Sequence, residues 1–94
     1  MIMPTISRKL YRLYNLKVEI RFIDHNPPHM HITSLVDDIN WMIDLNGELR
    51  KGSIKTKKQQ KLFKIVEYWM EVHKDDLWDR WYKAVNSMMV DYID

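Results

Sequence analysis

The chain has 94 residues, of which 46% are hydrophobic, with a formal net charge of +2 and no cysteine. That length suits one compact domain, 1–94, with a single core, and the lack of cysteine excludes disulfides and thiolate metal sites. No apolar run approaches the roughly 20 residues of a membrane span, and Met1-Ile2-Met3-Pro4 lacks the basic-then-apolar order of a signal peptide, so a soluble, cytoplasmic protein with no membrane partner is expected.

Charge is unevenly spread. Residues 1–64 carry twelve Lys/Arg against six Asp/Glu, while residues 65–94 carry three against seven. A basic face toward an acidic partner or nucleic acid fits this split, and so does self-association of unlike ends.

In chain order, Pro4-Thr5-Ile6-Ser7 reads as an extended lead-in, since proline restricts the backbone and Thr and Ile favour strand. Arg8, Lys9, Arg12 and Lys17 then interleave with Leu10, Tyr11, Leu13, Tyr14 and Leu16. We read a short strand and turn covering the core edge, although basic residues between aromatics are also an ingredient of a nucleic-acid surface. From Lys17 the alternation is strict, with Val18, Ile20 and Phe22 on one face of a half-buried strand.

The strand runs into Asp24-His25-Asn26-Pro27-Pro28-His29-Met30-His31, the densest chemistry in the sequence, with three of the four histidines. The two prolines stiffen the turn. A second strand follows, with His29, His31 and Thr33 on one face and Met30 and Ile32 on the other.

Asp37-Asp38 marks a turn, and Ile39, Trp41, Ile43 and Leu45 alternate through a third strand toward a hairpin at Asn46-Gly47. A two-residue loop would set Ile43 opposite Arg50. A three-residue loop ending in a bulge at Gly47 aligns Ile43 with Leu49 instead, and is the one expected, with a fourth strand over about Glu48–Ser53.

Thr56-Lys57-Lys58-Gln59 has the form of a capping box, so a helix is expected over about 57–74 with Leu62, Ile65, Val66, Trp69 and His73 buried. Arg50, Lys51, Lys55, Lys57, Lys58, Lys61 and Lys64 put seven positive charges and no acid in the window 50–64. They are the candidate partner-binding residues. A break near Lys74-Asp75 precedes a second helix over about 76–90, with Leu77, Trp78, Trp81, Val85, Met88 and Tyr92 as its stripe and a tail free to fray after Met88. That stripe exceeds what a small sheet covers, so a homodimer or partner face is a second reading. The pattern as a whole is α+β: a three- or four-stranded antiparallel sheet followed by two C-terminal helices packed on one face.

Pro4-Thr5-Ile6-Ser7-Arg8, the run from Phe22 to His31, and Glu67-Tyr68-Trp69 with His73, Leu77 and Trp81 resemble the domain of unknown function family 4160, small prokaryotic proteins. The resemblance spans nearly the whole chain. It implies association with toxin-antitoxin-like modules, because members are often encoded beside another small gene, but no assigned activity. Ile54-Lys55 stands where the family commonly has Leu-Pro, so the resemblance supports the fold and the central stretch more than the lysine cluster.

Three chemistries fit the central stretch. In the first, its aspartate and histidines bond backbone groups around a stiff turn. In the second, His29 and His31, with His25, His73 or Asp24 completing a three-ligand set, hold zinc or another divalent ion, the only cofactor the sequence suggests. In the third, His25 and His31 act as a catalytic acid-base pair in RNA cleavage, with Arg8 or Arg21 on phosphate. For function the sequence favours a non-enzymatic binding component of a toxin-antitoxin-like or host-interaction module, working on another small protein. A small RNA-binding toxin or nuclease using the histidines is the alternative, and a mobile-element inhibitor of a nucleic-acid-processing system a weaker one.

Overall fold

A computed structural model describes residues 5–21 and 27–94. The element order is α1 (Arg8–Tyr14), β1 (Lys17–Glu19), β2 (His29–Ser34), β3 (Ile39–Asp44), β4 (Leu49–Lys51), α2 (Lys57–Val72) and α3 (Lys74–Val85). The strands form one antiparallel sheet in sequence order, and the two long helices follow it. This is the α+β architecture the alternating and helical patterns imply, in its four-stranded form.

Register follows from burial. Val18 pairs with Ile32 and Ile32 with Trp41, while Met30 pairs with Ile43 and Ile43 with Leu49. Directly opposed residues share a face, so these rows make the apolar side of the sheet. Leu62, Val66, Trp69 and Met70 of α2 and Leu77, Trp81 and Ala84 of α3 complete the same core. Trp41 meets the Phe63 ring edge-on at 5.2 Å and sends its indole N–H to the Ser53 carbonyl, tying the sheet to the link before α2. Full burial of each such side chain contributes about 2 kcal/mol.

The hairpin takes the three-residue form. Gly47 has φ +94°, and Ile43 faces Leu49. Asp44 holds the loop closed: its carboxylate accepts N–H bonds from Asn46 and Glu48 and a 2.8 Å bond from the Arg50 guanidinium. Arg50 is the extra residue of a second irregularity, since Met42 pairs with Lys51. Beyond it Gly52 sits at φ +97°, where a Cβ would collide with the Asn40 carbonyl and come within 2.9 Å of Trp41.

The capping box forms with one change of partner. Thr56 accepts the Gln59 N–H at 3.0 Å, whereas the Gln59 side-chain oxygen reaches back to Lys55 N–H rather than to Thr56. The Gln59 amide also donates to the Asp37 and Asp38 carbonyls. One buried amide thus joins the start of α2 to the β2–β3 turn. The helix ends at Val72, and His73 serves as both the end of α2 and the start of α3.

Three expectations require correction. The second long helix covers Lys74–Val85 rather than about 76–90, because Asn86 caps it and Ser87 turns left-handed at φ 55°. Residues 8–14 are a helix, not a strand and turn: the Ser7 hydroxyl caps it by accepting Leu10 N–H, and left-handed Asn15 ends it with a Leu16-to-Leu10 bond of Schellman type. Nor does the segment after Met88 fray. Val90 is buried, Ile93 donates to the Ile6 carbonyl, and Ile6 donates in turn to Val18. Residues 6 and 93 therefore shield the β1 edge of the sheet, an edge that open backbone groups would leave sticky.

Candidate functional site

The central stretch is described from Pro27 onward; Asp24 and His25 lie outside the described residues, as do Phe22, Ile23 and Asn26. His29 begins β2 and is only 5% exposed. Its Nδ1–H donates to the Pro27 carbonyl at 2.6 Å, and its ring lies 5.0 Å from His31 and 5.5 Å from Trp81. His29 is thus lodged between a proline turn and α3, with the His31 ring edge-on beside it. Pro28 joins the same packing, accepting Leu45 N–H at 3.0 Å from the end of the hairpin strand.

His73 belongs to a different cluster. Its ring tilts on Trp69 and lies 3.8 Å from an Asp76 oxygen and 3.7 Å from an Asp94 oxygen. Among the described residues, no group of three or more histidines or carboxylates is arranged to hold a metal ion. Arg21 is exposed just before the undescribed segment, and Arg8 lies over the Tyr92 ring at 4.1 Å.

Nothing in the sequence singles out Asp94, yet it organises one end of the molecule. Its carboxylate accepts from Ser7 Oγ at 2.7 Å and from Trp69 Nε1 at 2.8 Å, and its carbonyl accepts from Arg8 N–H. Burial opposes its ionisation, but the Trp69 and Ser7 donors, the Lys9 N–H and His73 outweigh that and hold its carboxyl below the usual range. Arg80 makes the companion anchor, donating to the Asp91 and Tyr92 carbonyls while pairing with Asp79 and Asp91. No local pattern forecasts contacts between residues 25 to 87 positions apart.

The basic window separates into two groups. Arg50 is paired with Asp44 and Glu48, and Lys58 with Asp37 at 2.9 Å, so both fasten turns of the fold. Lys51, Lys55, Lys57, Lys61 and Lys64 are exposed and make no ion pair among the described residues. Lys57, Lys61 and Lys64 are spaced four and three apart, which lines them up on the face of α2 opposite Leu62, Val66 and Trp69. Tyr68, 73% exposed, continues the row.

Comparison with known families gives a match: the family described as Domain of unknown function (DUF4160) matches residues 18–82. The chain belongs to this family. Its matched span in this chain runs from β1 into α3, so it holds the sheet, the described histidines and the lysine row, while α1 and the Asp94 anchor lie outside it. No curated protein and no solved structure matches the chain. Among the described residues no helix is long and apolar enough to cross a membrane.

Two shallow grooves flank these clusters. One, about 370 Å³, lies between the hairpin loop and α2, with Asn46, Gly47, Glu67, Met70, Glu71 and Lys74 on its walls. The other lies beside α1. Along α3, Trp78, Tyr82 and Val85 repeat at four and three residues as an exposed apolar row.

Proposed function

We propose that the protein is a non-enzymatic binding component of a toxin-antitoxin-like or host-interaction module, and that the outward face of α2 holds an acidic surface of another small protein. The observation that carries this reading is the row Lys57, Lys61 and Lys64, exposed and free of ion pairs among the described residues. Lys57, in the first turn of α2, opposes the helix macrodipole at a cost of a few tenths of a kcal/mol. Nothing in the described fold offsets that cost, whereas an acidic partner would. Such a row also steers a partner of opposite charge into register before contact. Tyr68, next along the row, supplies the kind of aromatic anchor on which interfaces concentrate their energy.

The histidine-based nuclease has less in its favour. Of its acid-base pair, His25 lies outside the described residues and His31 is half-buried beside the ring of His29, which is itself buried with Nδ1 committed to Pro27. A general acid or base needs reach to a substrate proton.

The test is a calorimetric titration with the product of a small gene found beside this one, the kind of partner the family resemblance implies. Wild type should bind, and Lys57→Glu/Lys61→Glu/Lys64→Glu should weaken binding at least about a hundredfold, as expected when a charge-steered interface is reversed. Lys58 is left intact because it fastens Asp37. Equal affinity of the triple variant and wild type refutes the assignment.

A further inference from the structure

The groove beside α1 measures about 380 Å³, within the size range of small-ligand sites, and is walled by Thr5, Arg8, Tyr11, Arg12, Lys17 and Tyr92. Every charged side chain on this wall is a cation. Neighbouring carboxylates are spent elsewhere: Asp94 turns its side chain to Ser7 and Trp69, and Asp91 pairs with Arg80. Arg8 is held in place over Tyr92, with Nε toward the Asp94 carbonyl at 3.5 Å. Arg12 and Lys17 make no ion pair among the described residues. Beside them Tyr11 is 52% exposed and Tyr92 39% exposed.

We propose that this groove is a binding site for single-stranded nucleic acid, with Arg12 and Lys17 on the phosphate backbone and Tyr11 under a base. Unspecific single-strand sites combine these two ingredients, cations that track phosphates and aromatic faces on which bases stack. A duplex keeps its bases paired and offers Tyr11 no free face, so single strands are preferred. The short helix sets the geometry: Ser7 and Asn15 fix its two ends, Tyr11 and Arg12 project from its middle, and the 88–94 segment brings Tyr92 alongside. All six wall residues fall outside the span matched by the family. The site is separate from the lysine row of α2 and does not depend on the function proposed for it.

The experiment is fluorescence anisotropy of a short fluorescein-labelled oligonucleotide of mixed sequence, as single-stranded DNA, single-stranded RNA and duplex, with the full chain. Single strands should bind more tightly than the duplex. Arg12→Glu and Lys17→Glu should each weaken them about tenfold or more and flatten the salt dependence, by roughly 0.7 in the log-log slope for each phosphate no longer neutralised. Tyr11→Ala should weaken them between about fivefold and a hundredfold. Lys74→Glu, the same single charge reversal at an exposed lysine of α3, should stay within about twofold of wild type. These side chains are exposed, apart from half-buried Lys17, and circular dichroism verifies that each variant is folded. No binding, equal loss from Lys74→Glu, or indifference to the groove variants overturns the proposal. So does displacement by adenosine monophosphate at the oligonucleotide's own concentration, which would make this a mononucleotide site.

Discussion

The Trp69 indole N–H donates to the Asp94 carboxylate at 2.8 Å, fastening the end of the sequence to the last turn of α2. The same carboxylate takes the Ser7 hydroxyl that caps α1, so one side chain joins three otherwise separate segments. Removing it strands the indole N–H and loosens the cap. Asp94→Ala should therefore lower stability by about 2 kcal/mol, the scale of unsatisfied buried donors, and shift Trp69 fluorescence to the red. Urea unfolding followed by fluorescence checks this; an unchanged midpoint would mean that the anchor carries no energy.

Acid should weaken the fold through Asp94 and Asp44. Burial opposes ionisation of Asp44 as well, but the Glu48 N–H, Arg50 and the Asn46 N–H together hold its carboxyl below the usual range. Both folded carboxyls thus titrate lower than in the unfolded chain, where the value is about 4. Below that pH the unfolded chain binds more protons, so the stability these groups add is complete above about pH 4 and disappears as pH falls through their folded values. Denaturation midpoints measured against pH should drop in this window. Asp44→Asn should start lower at neutral pH and fall less steeply.

Gly52 offers a test of the sheet-to-helix link. Its φ of +97° and the lack of room beside Asn40 and Trp41 leave no place for a Cβ. Gly52→Ala should cost at least about 2 kcal/mol. Gly47→Ala, where φ is also positive but nothing lies within 4 Å, should cost less. Thermal unfolding of both variants gives the ordering, and a reversed ordering would show that strain rather than collision controls this backbone.

Patterns of period two and of helical spacing are sufficient for most of the fold. Val18, Ile32, Trp41 and Ile43 declare the sheet face, Thr56 with Gln59 declares the start of α2, and the Ile43–Leu49 register follows from which loop keeps apolar residues opposed. Helix α1 escapes because its signal is a single cap: Ser7 also suits an extended lead-in, and seven residues hold too little periodicity to outweigh the Leu and Tyr that equally suit a strand. The Asp94 anchor escapes because nothing local marks an aspartate whose partners are at positions 7 and 69. For the candidate sites the division is similar. Seven basic residues are visible as a run, but only the fold shows that Arg50 and Lys58 are taken by Asp44 and Asp37 and that Lys57, Lys61 and Lys64 form the open row. His73 shares helical spacing with the core and so looks available to the other histidines, yet α3 begins beside it and gives it Asp76 as a neighbour.

The most direct measurement of the proposed binding role is an amide NMR spectrum of the isotopically labelled chain, recorded while the unlabelled product of a small gene found beside this one is added. If α2 presents the partner-binding face, shifts should concentrate at Lys57, Lys61, Lys64 and Tyr68 and leave the exposed row of α3 unmoved. Shifts confined to Trp78, Tyr82 and Val85, or to the strand carrying His29 and His31, with α2 silent, would contradict it.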